Sequence, residues 1–410
     1  MNGGALVERI VITGMGAVTP VGIGVAEYWK NLTAGKSGIA RIRQFDPSEL
    51  AVQIAAEVPD FNPAALLPKH LIRETDAFMP YAYLAAEEAL CGAELEPART
   101  GIVMGTAMNG ISTIAATQQA LSSASHKKVG PRFVPKILGN VAAAQIAIAH
   151  NIQGPNYTIG TACASGGDAV SMACLLLRAG KADAILAVGA ESVLCPLVIY
   201  SLSNAQALSR RNDDPAGASR PFDAARDGFV IGEGGGALLL ETESHARARN
   251  AAVYGVVLGC GNNSDAYHVT SPLPGGDGAA ACMRQALLDA GLQPDDVGYI
   301  NAHGTGTLRG DAAETAAIHQ VFPTPPPVSS TKGATGHMMG AGGLTEVITC
   351  VQAIRTGLLP PSLGLTEQDP ECPLHLTGPT AVQQPVHAAI SNAMGFGGQN
   401  SCIVVGRYQE

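Results

Sequence analysis

The sequence predicts a layered α/β fold, and three observations carry that reading. Short apolar runs alternate with helical patterns along the whole chain, as they do when strands are covered by helices on both faces. Only 14% of the 410 residues are charged and 4% aromatic, against 46% hydrophobic, with 49 glycines and 26 prolines. Such a chain has ample core-forming residues and many small ones suited to close layer contacts, and part of its surface is expected to be hidden in an oligomer. Finally, two segments echo each other. NYTIGTACASGGDAVSMACLLLRAG (156–180) and PVSSTKGATGHMMGAGGLTEVITCVQAI (327–354) each read as strand, small-residue turn and helix.

Taken in order, strands are expected at 9–13, where GMG ends the run, and at 100–105, 183–189 and 297–302. The runs 236–241 and 252–261 are also β-like, and little lies between them, so they are expected to pair as antiparallel neighbours. Helices are expected at 78–91, 139–148, 168–179, 278–290, 311–321 and 343–356. The proline-rich stretch 323–327 is short and runs straight into a strand, so it reads as a loop within the fold.

Composition excludes several classes of function. A net charge of −9 argues against a nucleic-acid binder. No apolar run reaches about 18 residues, so no membrane-spanning helix is expected. Glu8 interrupts the first apolar stretch, which passes directly into a strand pattern, so no leader is expected and a cytoplasmic location is. The nine cysteines are scattered, with no C-x-x-C pair and no zinc-ligand spacing. A disulfide framework and a metal centre are therefore not expected, and a functional cysteine would be a nucleophile.

Cys163, in TACASGG (161–167), lies between a strand and an apolar helix. A helix N-terminus favours a thiolate, and the small residues around Cys163 leave room for a bulky thioester. Cys174, Cys195, Cys260, Cys282, Cys350 and Cys402 lie in apolar runs and read as small core residues. His303, in NAHGTGT (301–307), follows a strand and precedes flexible backbone, and Thr305 and Thr307 offer hydroxyls to a polar ligand arm. Lys332 and His337 share the turn STKGATGH (330–337), which lacks the order of a phosphate loop. Glu346 on the next helix is spaced to pair with Lys332, either buried beneath His337 or at the surface. The run SNAMGFGGQN (391–400) can bend sharply, and its backbone N–H with that of Cys163 would make an oxyanion hole. If the two echoing units face each other, Cys163 comes near His337.

Together these segments resemble the β-ketoacyl-[acyl-carrier-protein] synthases, in particular the synthase I/II group of condensing enzymes. TACAS, SRPFDAARDGFVIGEGGG (219–236), NNSDAYHVTSP (262–272), NAHGTGT, STKGATGH and GFGGQN stand in that family's order and spacing, and the resemblance spans essentially the whole chain. It implies the thiolase fold: two βαβαβ halves, here 1–250 and 251–410, in a five-layer α-β-α-β-α sandwich. It implies Cys163 as nucleophile, His303 and His337 as catalytic histidines, and Lys332 and Glu346 in support. Phe396 is implied as the gating phenylalanine whose N–H joins that of Cys163 in the oxyanion hole. Met108 and Leu202 are implied to line the acyl tunnel, and Thr270, Thr305 and Thr307 to bind substrate. The implied substrates ride on the phosphopantetheine of an acyl carrier protein, with no other cofactor, in fatty-acid or polyketide elongation. A dimer is implied, either with itself or with a chain-length-factor-like subunit. Such a subunit would itself lack the nucleophile, so this chain would be the catalytic partner. CoA-dependent thiolase or synthase III enzymes are a rival reading, but they lack the T-G-H turn.

Leu308 where proline is common after GTGT, Gln399 after GFGG and Met394 in place of an aromatic point to a specialised member. Carrier proteins of this kind are acidic while this chain is itself anionic, so docking is expected on a local basic patch: Lys127, Lys128 and Arg132, then Lys69 and Arg73.

Overall fold

The computed structural model describes residues 8–123 and 129–409. Ten strands run in one hydrogen-bonded path. The first half supplies β1 (Ile10–Thr19), β2 (Thr100–Gly105), β3 (Asn156–Ile159), β4 (Ala184–Glu191) and β5 (Gly234–Thr242). The second supplies β6 (Gly255–Ser264), β7 (Tyr299–Asn301), β8 (Val328–Ser329), β9 (Ala388–Gly395) and β10 (Gln399–Gly406). Spatial order is β3-β2-β4-β5-β1 in the first half and β8-β7-β9-β10-β6 in the second. If strands are counted within each half, both orders read third, second, fourth, fifth, first. Strand directions match as well. β2 is parallel to β3 and β4, and β7 to β8 and β9, while the remaining pairs within each half are antiparallel. The echo in the sequence is thus a duplicated unit.

The expected pairing of 236–241 with 252–261 does not form. β1 lies between them, pairing antiparallel with β5 over its length and with β6 through Ile10–Ile12. The short helix Glu243–Ala248 and its loop carry the chain past that intervening strand. The first strand is also longer than its apolar run suggests. It continues through Gly14 and Gly16 to Thr19 because helix α1 (Phe78–Ala89) lies directly on it. A Cβ at Gly14 would sit 1.9 Å from the Ala89 carbonyl oxygen, and one at Gly16 1.9 Å from that of Ala85. These glycines interrupt the hydrophobic pattern but permit the closest helix–sheet approach.

Five layers result. Helices α1 and α2 (Asn140–His150) cover the outer face of the first half, and α4 (Asp277–Ala290) and α5 (Leu308–Val321) that of the second. Between the halves lie α3 (Ser165–Arg178) and α6 (Gly342–Thr356), each touching strands of both. α6 is buried around its whole circumference from Gly342 to Ile354, which is why its sequence lacks an amphipathic stripe. Val170, Leu177, Leu344, Val347, Ile348 and Val351 join residues of β1, β5 and β10 in one apolar core. α3 and α6 each follow the third strand of their half, so the turns that lead into them meet at the centre.

Candidate active site

Cys163, His303 and His337 sit in turns beyond the C-terminal ends of parallel strands, where open α/β sheets present their ligand sites. Cys163 lies in a single 3₁₀ turn, Ala162–Ala164, between β3 and α3. Ala162 has φ 49°, a left-handed conformation uncommon for a residue with a Cβ, and that bend holds Cys163 at the mouth of the turn. His337 lies in the equivalent turn between β8 and α6. His337 Nε2 is 3.1 Å from Cys163 Sγ. The His337 N–H donates to the Val230 carbonyl at 2.7 Å, and Met339 N–H donates to His337 Nδ1 at 3.3 Å. An Nδ1 that accepts carries no proton in the neutral ring, so Nε2–H is the face turned to the sulfur.

His303 follows β7, its ring edge-on to that of His337 with centroids 5.3 Å apart. Its Nδ1 is buried without a hydrogen-bond partner. Both imidazoles have pKa values held well below the usual value, by burial first and the Lys332 charge second, with His337 adding to the effect on His303. Two neutral histidines therefore face one thiol. Burial pushes that thiol up to about 11, against the opposing pull of Lys332 and the N–H groups of Phe396 and Cys163. In the free site burial thus outweighs the help expected from the helix N-terminus. Lys332 Nζ pairs with Glu346, both fully inside the protein, so the pair spaced on the sequence is the buried one.

A cavity of about 530 Å³ runs from Cys163 to the surface. Met108, Leu202, Thr270, Thr305, Thr307 and Phe396 all line it. Met108 and Leu202 belong to the apolar cluster around Cys163, which includes Phe229 and Met339. The Thr305 and Thr307 hydroxyls lie 3.0 Å apart and Thr270 sits in the exposed loop opposite. Phe396 forms the turn between β9 and β10, where Gly397 and Gly398 have φ 93° and 75°, conformations that require glycine. Gly397 N–H donates to Val269 and Asp265 N–H to Gly398, so this turn and the Thr270 loop are latched together.

The docking candidates fare differently. Lys127 and Lys128 lie outside the described residues. Arg132 is exposed but pairs with Glu74 at 3.4 Å, and it does not line the cavity. Lys69 and Arg73 are exposed on the short helix Lys69–Glu74.

Sequence reasoning missed Glu314 and Glu191. Glu314, on α5, accepts the backbone N–H groups of His303 and Gly304 at 2.8 and 2.7 Å and so fixes the His303 loop. It reads in sequence as an ordinary helical glutamate. The SRPFDAARDGF motif also finds its reason here. Asp311 accepts Phe222 N–H at 2.7 Å and Gly306 N–H at 3.1 Å, and Arg226 is buried against it, which ties this motif to the NAHGTGT loop.

With that geometry in hand, comparison with known proteins gives one answer. The β-ketoacyl synthase N-terminal domain model matches residues 7–246 and the C-terminal domain model residues 254–366. The 3-oxoacyl-[acyl-carrier-protein] synthase 2 of Coxiella burnetii is 40% identical over 98% of this chain and 99% of its own length. The chloroplast 3-oxoacyl-[acyl-carrier-protein] synthase I of Hordeum vulgare is 38% identical over 97% of this chain and 88% of its own. Among solved structures, an ishigamide ketosynthase/chain length factor superposes with TM-score 0.92 at 34% identity, covering 98% of this chain and all of that one. A β-ketoacyl synthase from Burkholderia phymatum superposes with TM-score 0.91, also at 34% identity and with the same coverage. The chain belongs to the β-ketoacyl synthase family and has that family's thiolase-like fold. It is a condensing acyltransferase that forms carbon–carbon bonds.

Proposed function

We propose that this enzyme joins an acyl thioester to malonyl-[acyl-carrier-protein], with Cys163 as the acyl-carrying nucleophile and His303 and His337 as hydrogen-bond donors to the malonyl thioester. The observation that carries this reading is the neutral Nε2–H face of His337 against Cys163 Sγ, with His303 beside it. In the first step Cys163 sulfur attacks the acyl carbonyl, the carrier leaves as its thiol with the cysteine proton, and an acyl-enzyme forms. The oxyanion faces the N–H groups of Cys163 and Phe396. Malonyl-carrier then enters past Phe396 and Thr270, its arm against Thr305 and Thr307. Loss of carbon dioxide leaves an enolate whose oxygen the two imidazole N–H groups stabilise, a contribution of roughly 3 kcal/mol per donor in other enzymes. The enolate carbon attacks the acyl-Cys163 carbonyl, and the cysteine leaves as a thiolate that regains a proton from solvent. Glu346 pairs with Lys332 inside the protein, and burial first, with the nearby Lys332 charge second, disfavours protonation of both imidazoles. The reaction consumes no redox cofactor and needs no metal.

The carrier's acidic surface would meet basic residues, with Lys127, Lys128 and Arg132 as the first candidates and Lys69 and Arg73 as weaker ones. The proposal includes a dimer, with itself or with a chain-length-factor-like subunit; the open edge of β3, where Tyr157 is 53% exposed, supports it as a place for strand addition. A second reading, catalytic subunit of a ketosynthase/chain-length-factor pair, draws on the likeness to the ishigamide complex. Chain division near residue 250 and a cytoplasmic location complete the proposal. Intact-mass measurement after incubation with a panel of acyl-carriers, followed by radiolabelled malonyl-carrier, tests it. Mass addition abolished by Cys163→Ala and labelled β-ketoacyl product are expected; loading at another residue overturns the assignment.

A further inference from the structure

Glu191, the last residue of β4, is fully buried beside the cavity yet touches no part of the site assigned to chemistry. One carboxylate oxygen accepts the Met108 N–H at 3.2 Å and the Thr106 hydroxyl at 3.3 Å. The other accepts the Ala107 N–H at 2.6 Å and the Gly340 N–H at 3.3 Å. Met108 lines the apolar end of the cavity, and Gly340 lies three residues beyond His337 in the same turn. A single side chain thus anchors both the acyl-lining loop of one half and the histidine turn of the other. Its burial would be unfavourable without those four donors. No other described side chain has a hydrogen bond to the backbone of both segments, which otherwise meet through the apolar packing of Met339 with Ala107 and Met108. β4 pairs with β5 along its whole length but with β2 only through Gly189, so beyond that ladder it is the Glu191 side chain that holds the 106–108 segment.

We infer that Glu191 is a positioning residue that sets acyl selectivity, by fixing the backbone at Met108 against the turn that carries His337. The inference rests on the condensing function proposed above. The two oxygens make its chemistry separable. A glutamine keeps one acceptor oxygen and turns an NH2 toward the other pair of donors. Thr106 can reverse its hydroxyl and accept, whereas the N–H groups of Met108, Ala107 and Gly340 cannot. The amide NH2 therefore settles on the Thr106 side. Its oxygen keeps Ala107 and Gly340, and Met108 N–H alone is stranded. A shortened carboxylate, aspartate, keeps both acceptors but cannot reach Gly340 and the 106–108 loop together.

The experiment compares the parent enzyme with Glu191→Gln and Glu191→Asp, measuring acyl loading of Cys163 by intact mass with short- and long-chain acyl-carriers and, on the same preparations, malonyl-carrier decarboxylation. Loss of a charge-assisted hydrogen bond at a buried site is worth about tenfold or more in a rate that depends on it. Glu191→Gln should lower the long-to-short loading ratio, or invert it, by about tenfold, and should affect loading about tenfold more than decarboxylation. Glu191→Asp should impair both half-reactions together. Thermal unfolding separates folding loss from selectivity, since a merely structural residue would lower the melting temperature and scale all rates alike. An unchanged chain-length ratio in both folded variants, or equal scaling of every rate, overturns the inference. Failure of the parent enzyme to load any acyl group would instead overturn the function on which it rests.

Discussion

Cys163 starts from an unreactive state, with its thiol held up at about 11 by burial, while two neutral histidines wait beside it. In the proposed reaction loading requires the thiolate, whereas decarboxylation requires only donors, so mutation should separate the two. Cys163→Gln sets an amide carbonyl where the acyl-thioester carbonyl would lie. It should abolish acyl-enzyme mass while malonyl decarboxylation persists or rises. His303→Ala should cut labelled carbon dioxide release on the order of a hundredfold, with loading surviving in part. The pocket makes a further residue-scale test. Met108→Trp fills the apolar end of the cavity and should confine loading to short acyl groups; long chains loading at the parent rate would refute its place in the tunnel.

At the scale of elements, the sequence made the central turns legible and hid what braces them. TACAS and STKGATGH were readable because a reactive side chain sat in each turn between a strand and a helix. That the units echo one another even implied that the turns meet. The alternation of strands and helices gave the layers. β1 was cut short and β5 mispaired with β6, because both depend on a partner element: glycines at 14 and 16 look like a strand end until α1 lies against them. Glu191 and Glu314 carry no local signal at all, since their partners are backbone N–H groups 83 and 11 residues away. The helix–sheet contact is testable by itself. Gly16→Ala puts a methyl against the Ala85 carbonyl and should destabilise the fold by about 3 kcal/mol in chemical denaturation, with the active-site residues untouched.

For the molecule as a whole, three buried carboxylates tie stability to pH. Burial pushes Glu191 and Glu314 from 4.5 up to about 7, and Asp311 from 3.8 up to about 6. Each holds its proton more tightly folded than unfolded. Their stabilising effect is complete at pH below their unfolded values and is lost as pH rises through the folded ones. Melting temperature should therefore fall between about pH 4 and pH 7 from these groups, and Glu314→Gln should flatten that slope even while it loosens the His303 loop. The middle layer makes a second global prediction. α3 and α6 each bury side chains against strands of both halves, so neither fragment 1–250 nor fragment 251–410 has a closed core. Expressed alone, each should be aggregated or unfolded; co-expressed, they should associate and regain acyl loading, measured by co-purification and intact mass.

The matching strand order of the two halves has a geometric consequence. The turns at 163 and 337 occupy equivalent places, each following the third strand of its half. Two identical chains related by a twofold axis would have to carry the same residue at both places. One chain carrying both halves is free of that constraint, and here sulfur stands at 163 with imidazole 3.1 Å away at 337. Unlike groups at equivalent places are thus open to a single polypeptide and closed to a symmetric pair.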